Sequence, residues 1–355
     1  MQQRKPLLVP IAGFLGAGKT GLIIAGARAL RKRNLNCAAI LNDQGGNLVD
    51  TEHVRERQIS AAEVAGGCFC CRFSDLIDRA EELRELNPDV IFIEAVGSCA
   101  DLSATVIQPL KRDFRDRFRV APLTVAVDPA QARQMSELPE ASELRYLFDR
   151  QMEEADLLAF TKCDLGLRYR HAASVDGRCL SSLTGEGVSE WLDEILSGTI
   201  PAGAKILQIN YDRYARAEAA LGWLNWYAQI QLSWPLSPAE LVGPFVDALQ
   251  EAIRSQRGEI AHLKVSDDTD SSYLKVSVTS TTAEPGAEGD LAASPELRHE
   301  LRLNLRAVMD AGVLRETFVR ELNKLPGRQQ EASLECFSPS RPEPQQRFSE
   351  VVPDS

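Results

Sequence analysis

The sequence contains no apolar run long enough to cross a bilayer. Its opening, Met-Gln-Gln-Arg-Lys-Pro followed by a short apolar stretch, is too brief for a signal-peptide core. These two absences point to a cytoplasmic protein without a membrane partner. There is no basic excess either: 40 Lys and Arg stand against 51 Asp and Glu, a net charge of −11. That balance argues against nucleic acid as a partner. No internal repeat is visible, and no His-rich tract that would mark a metal store. Of the 8 cysteines, three fall at positions 68, 70 and 71 and the others are scattered. This is not the spacing of a secreted disulfide framework and suggests metal or thiol chemistry. What is present is ordinary globular material, 44% apolar over 355 residues, which suggests about two domains.

The most informative stretch is Gly13-Phe14-Leu15-Gly16-Ala17-Gly18-Lys19-Thr20. It spells G-x-x-x-x-G-K-[ST] between an apolar strand and a helical stretch. The glycines let successive backbone N–H groups turn towards a phosphate, Lys19 reaches the β- and γ-phosphates, and the Thr20 hydroxyl ligates Mg²⁺. Gly13, Gly16, Ala17, Gly18, Lys19 and Thr20 are therefore expected to bind nucleotide.

Around this loop, short apolar runs alternate with amphipathic segments up to about residue 197. The pattern predicts an α/β phosphate-loop NTPase domain over residues 1–200 with a mainly parallel sheet. Strands are expected at 7–12, 37–41, 90–93, 123–127 and 156–160. Helices are expected at 19–32, 73–85, 101–118, 141–154 and 189–196. The pattern changes after Gly198, and a smaller α+β domain is expected at 211–325. There Trp223, Trp226 and Tyr227 read as core rather than as a ligand cage. Residues 281–295 read as a mobile loop, and residues 326–355 as a disordered tail.

Three further stretches suit a nucleotide enzyme. An apolar strand ends in Glu94, positioned to hold the Mg²⁺ water shell, and Gly97 follows with an unobstructed N–H for a γ-phosphate. Thr161-Lys162-Cys163-Asp164 follows the last strand of the domain; a carboxylate there accepts both N1–H and N2–H of guanine, so Asp164 predicts GTP over ATP. Ser182 and Leu183, in the loop before the next helix, suit contacts to the base. The fourth notable stretch is Gly66-Gly67-Cys68-Phe69-Cys70-Cys71. Thiolates at Cys68, Cys70 and Cys71 are soft ligands for a transition metal, with a redox pair or buried small side chains as the alternatives. No second Cys or His cluster completes a closed site, so an open, exchangeable one is expected, with Asp43 or His53 to complete it. Cys37, Cys99, Cys163, Cys179 and Cys336 read as structural.

Taken together, these motifs resemble the CobW-type family of metallochaperone GTPases, relatives of the GTPases that mature hydrogenase, urease and cobalamin enzymes. The resemblance covers residues 7 to about 197. It rests on the phosphate loop, Asn42-Asp43-x-Gly45, Glu63-x-x-Gly66-Gly67-Cys68-x-Cys70-Cys71, the strand to Glu94 with Gly97, Ala100-Asp101, and Thr161-Lys162-x-Asp164. It implies slow GTP hydrolysis, with Mg²⁺, coupled to delivery of a metal such as Zn²⁺, Co²⁺ or nickel to a client metalloprotein. It also implies a homodimer, and metal ligation by Asp43 with the cysteines. Asp43 and Asp50 are the candidates to position the attacking water. Four positions depart from the family pattern: Asp43 for Glu, Ala95 for Ser or Thr, Leu102 for Pro, and Thr161 for Asn. Three other readings are a GTPase gating cofactor assembly on a corrinoid protein, a small-molecule kinase, and a non-enzymatic metal buffer.

Overall fold

The computed structural model describes residues 5–45, 49–166 and 177–354, which divide into two compact units. The first comprises residues 1–44, 50–217 and 341–355; the second comprises 45–49 and 218–340. No helix among the described residues is long and apolar enough to cross a membrane.

In chain order the first unit contains β1 (Leu7–Ala12), α1 (Lys19–Lys32), β2 (Cys37–Asn42), α2 (Val49–Glu56), β3 (Ser60–Val64), α3 (Phe73–Arg84) and β4 (Val90–Glu94). There follow α4 (Gln108–Asp113), β5 (Arg119–Val120), β6 (Thr124–Val127), α5 (Pro129–Glu137) and α6 (Glu143–Glu154). The unit continues with β7 (Leu157–Phe160), β8 (Gly177–Cys179), α7 (Val188–Ser197) and α8 (Tyr211–Ala219). All eight strands pair in parallel, in the order β3-β2-β4-β1-β6-β7-β8, with β5 beside β1. Parallel strands require helical crossovers on the sheet faces, which is why β1 and β4 are buried at every position. One face packs on α1 and α7. Trp191 of α7 is fully buried, stacks on Phe92 of β4 at 6.3 Å and donates its indole N–H to Thr124 Oγ1 at 3.1 Å.

The sheet holds three strands that apolar patterning does not reveal: β3, β5 and β8. Strand β3, Ser-Ala-Ala-Glu-Val, lies at the sheet edge and is mostly half-buried, so it needs no continuous apolar run. The helix expected at 101–118 is shorter and irregular, a π-helical turn at Ser103–Ile107 leading into α4.

The second unit is an antiparallel six-stranded sheet in the order β12-β11-β10-β13-β9-β14. Its strands are β9 (Leu221–Leu236), β10 (Glu259–Asp268), β11 (Tyr273–Val278), β12 (Gly286–Gly289), β13 (Glu296–Val308) and β14 (Arg328–Phe337). Helices α9 (Pro238–Ser255) and α10 (Ala311–Leu322) contribute their apolar faces to the same core. A capping box of Ser237 and Glu240 starts α9. Trp223 and Trp226 are buried as expected of core residues. Trp226 packs edge-on to Phe318 at 5.7 Å, whereas Tyr227 is half-buried.

Two expectations of disorder are corrected here. The loop 281–295 carries β12, paired with β11. The tail 326–355 carries β14, paired antiparallel with β9, although most of its side chains are exposed. Order there comes from ladder hydrogen bonds to the edge of an existing sheet and from Leu334 and Cys336 packing against the core. Composition alone does not register an available edge. Beyond it, residues 341–354 lie along the first unit: Gln345 N–H donates to Cys70 O at 2.9 Å, Phe348 N–H to Ala104 O at 3.0 Å, and Val352 N–H to Gln108 Oε1 at 2.7 Å.

Candidate nucleotide and metal site

The phosphate loop occupies the crevice at the carboxyl end of β1, the position that right-handed crossovers leave open for a ligand. Gly13 has φ +133° and lies so close to β6 that a Cβ would collide with the Ala126 carbonyl oxygen. Gly18, at φ +88°, caps α1. Lys19 is buried and donates to the carbonyls of Gly13 at 3.0 Å and Phe14 at 3.3 Å, closing the loop around its own ammonium group. The N–H groups of the first turn of α1 and its dipole make this end of the helix suited to an anion.

Parallel register places Glu94 of β4 opposite Ile11 of β1 and so beside the start of α1. The Thr20 hydroxyl donates to Glu94 Oε1 at 3.1 Å, and both residues are buried. Oxygen donors that share one octahedral Mg²⁺ at about 2.1 Å are about 3 Å apart, so this pair fits the ion. Gly97 follows on the next loop, where a Cβ would lie 2.9 Å from the Leu15 backbone nitrogen. The absence of a side chain is what lets this loop approach the phosphate loop.

On the far side, Thr161 does more than replace an amide: its hydroxyl donates to Ala17 O at 2.7 Å, tying the loop after β7 to the phosphate loop. Lys162, in the left-handed region at φ +56°, donates to Gly16 O at 3.3 Å and pairs with Asp128 Oδ2 at 2.6 Å. Asp128 also caps α5. Its role was not legible in the sequence, because nothing local links it to Lys162. Asp164 lies exposed in a short 3₁₀ turn, Leu183 is 80% exposed, and Ser182 approaches Gly21 of α1. Cys163 and Cys179, expected to be structural, form a disulfide that ties this turn to β8, with Cα atoms 5.9 Å apart.

The cysteine loop sits between β3 and α3. Gly66 (φ +78°) and Gly67 (φ +155°) turn the chain, and the Asn42 side chain at the end of β2 clamps the result. Its Nδ2 donates to Val64 O at 2.9 Å and Gly67 O at 2.7 Å, and its Oδ1 accepts from Phe69 N–H at 2.9 Å. The loop so held gathers three sulfurs: Cys68 to Cys70 at 2.7 Å, Cys68 to Cys71 at 3.4 Å, and Cys70 to Cys71 at 3.7 Å. Cys68 and Cys70 are buried and Cys71 half-buried. Hydrogen bonds from neighbouring thiols hold Cys68 well below the usual thiol pKa. Cys70 is pushed up, first by sharing that proton with Cys68.

Among the described residues these three are the side chains whose donor atoms converge as a metal site would require. The group does not include Asp43, half-buried beyond β2 with its N–H donating to Val64 O at 3.2 Å. Nor does it include His53, buried within α2; Asp50 lies in the first turn of the same helix.

Comparison with known proteins adds the following. Residues 7–182 match the model for the CobW/HypB/UreG nucleotide-binding domain. The chain is 27% identical over 227 residues to the zinc chaperone CobW of Pseudomonas aeruginosa, covering 56% of this chain and 55% of that protein. It is 25% identical over 233 residues to the hydrogenase maturation factor HypB of Cupriavidus necator, covering 53% and 61% respectively. The chain thus spans little more than half the length of these curated relatives. Among solved structures it is similar to nickel-bound HypB from Helicobacter pylori, with a TM-score of 0.40 and 15% identity over 56% of this chain and 88% of that one. It is also similar to zinc-bound YjiA GTPase from E. coli, with a TM-score of 0.30 and 14% identity over 89% and 99%.

Proposed function

We propose that the first unit, whose residues 7–182 belong to the CobW/HypB/UreG family of nucleotide-binding domains, is a GTP-hydrolysing metallochaperone. In this reading, nucleotide state controls the binding and release of a transition-metal ion carried to a client protein. The observation that carries it is the gathering of three thiols on a loop clamped by Asn42, between β3 and α3 of the same unit that holds the phosphate loop.

The phosphate loop would bind the triphosphate through its N–H groups and Lys19, and Gly97 N–H would contact the γ-phosphate. Asp164 would select guanine by accepting N1–H and N2–H. Thr20 and Glu94 would hold Mg²⁺, which would supply charge neutralisation for the phosphates. Asp43, beyond β2, and Asp50, in the first turn of α2, are the carboxylates offered to position the attacking water. Ordering of the loops after β2 and β4 by the γ-phosphate would shape the thiol site, and hydrolysis would relax it.

Zinc is the favoured cargo, with cobalt next. Soft thiolates suit both ions, and the curated relative from Pseudomonas aeruginosa is a zinc chaperone.

The test is metal affinity of the intact protein loaded with GDP and with a non-hydrolysable GTP analogue. The reading expects the two to differ. Equal affinities overturn it, because a nucleotide can act on the metal only through a difference between two states.

A further inference from the structure

Of the three clustered thiols, Cys68 and Cys70 are 3% and 1% exposed, whereas Cys71 is half-buried, so an ion enters or leaves the cluster past Cys71. The segment of residues 341–354 runs across that edge. Glu343 N–H donates to Cys71 Sγ at 3.2 Å. Two residues on, Gln345 N–H donates to Cys70 O at 2.9 Å, and the Gln345 side chain accepts from Ser74 N–H at 3.0 Å. Ser74 lies in the first turn of α3, whose N-cap residue Arg72 makes no side-chain cap bond. The segment thus supplies a partner that this helix end does not provide for itself.

Farther along, anchors away from the sulfurs hold the segment down. Arg347 pairs with the buried Asp101 carboxylate at 2.6 Å and 3.3 Å, and Phe348 N–H donates to Ala104 O at 3.0 Å. The Arg112 guanidinium lies 4.2 Å from the centre of the Phe348 ring. Between these anchors the segment forms neither helix nor strand, and most of its side chains are exposed. A stretch held by single backbone bonds and a few side chains, without a ladder, opens locally at far less cost than the unit unfolds.

Resting on the metallochaperone reading above, we infer that residues 341–354 are a displaceable strap that closes the cargo site at Cys71. Closed, the strap covers the one half-buried sulfur. It also donates the Glu343 N–H to that sulfur, a bond that strengthens when the ion converts the thiol to a thiolate, because bonds to ionised acceptors are the stronger ones. Partners one layer beyond a metal ligand carry about 10–100-fold in metal affinity, so losing this bond loosens the ion. Opening therefore weakens the hold on the cargo and bares Cys71 to a ligand from the client in a single movement. Glu343 acts here through its backbone, as a positioning residue for Cys71.

The test uses the full chain, zinc(II) as the cargo and iodoacetamide as the thiol reagent. Glu343→Pro deletes the N–H donor and leaves every anchor in place, and the extended backbone that Pro344 already imposes on this position accommodates a proline. Glu343→Ala keeps the N–H and serves as the control. Phe348→Ala frees the strap at an anchor remote from the thiols. Transfer of zinc to a chelator should be at least about tenfold faster in Glu343→Pro and Phe348→Ala than in the wild type, with Glu343→Ala at the wild-type rate. In metal-free protein, peptide mapping should find Cys71 alkylated faster in Phe348→Ala by a similar factor while nucleotide affinity is unchanged.

Zinc transfer at the wild-type rate in Glu343→Pro, or equal alkylation of Cys71 in Phe348→Ala and wild type, overturns the strap and leaves the metallochaperone reading standing. Wild-type protein that holds no zinc on these cysteines overturns both. The alkylation measurement needs no metal, so it reads the covering of Cys71 separately from the cargo.

Discussion

Raising the pH should destabilise the first unit through one residue, Glu154. This carboxyl at the end of α6 is almost fully buried, and burial is the main cause of a pKa raised to about 8. The Ser103 N–H donates to Oε1 and opposes the shift, whereas the charge of nearby Asp101 adds to it. The folded state therefore holds a proton that the unfolded chain releases near its ordinary value of 4.5. Below that value the contribution is fully favourable. Between it and about 8 the unfolded state binds fewer protons, so stability falls as pH rises and is lost through the folded pKa.

The separation between the two values, at about 1.4 kcal/mol per pH unit, caps the loss at about 5 kcal/mol. Glu154→Gln removes the titration and keeps a carbonyl oxygen to accept from Ser103. It should cost about 1 kcal/mol at pH 5, where its amide replaces a neutral carboxyl, and gain stability over the wild type at pH 9. Urea unfolding of both proteins at pH 5, 7 and 9 measures this. Because Asp101 and Asp156 titrate in both, the difference between the two curves isolates Glu154. Parallel curves refute the reasoning.

Three further outcomes are expected. Asp164→Asn removes the carboxylate proposed to accept two guanine N–H groups and, in that reading, should reduce the preference for GTP over ATP by about 2–3 kcal/mol, roughly a hundredfold, in competition binding; an unchanged preference places base recognition elsewhere. Reducing the Cys163–Cys179 disulfide, which closes a loop of sequence separation 16, should lower the unfolding free energy by about 3 kcal/mol, and equal denaturant midpoints with and without reductant refute this. Arg347→Ala removes the guanidinium that contacts Asp101 at 2.6 Å and 3.3 Å and leaves that buried carboxylate with the Tyr211 hydroxyl. It should cost about 3 kcal/mol and expose residues 341–354 to protease, and an Asp101→Asn change on top should recover part of the loss.

The phosphate loop was legible in the sequence because its chemistry is local: eight consecutive residues carry the glycines, the lysine and the hydroxyl. The parallel sheet was legible for a related reason, since a strand buried on both faces must be a continuous apolar run, as β1 and β4 are. Edge strands such as β3 and β14 escape that signal, because their order comes from pairing with a neighbour far away in sequence. The cysteine loop announced itself by clustering. Its clamp, Asn42, and the Cys163–Cys179 disulfide did not, because each joins segments that only the fold brings together. The sequence by itself determined the catalogue of donors, the phosphate loop and the three sulfurs. Tertiary structure decided which of those donors meet, since contact between residues tens of positions apart depends on strand order and crossover rather than on spacing along the chain.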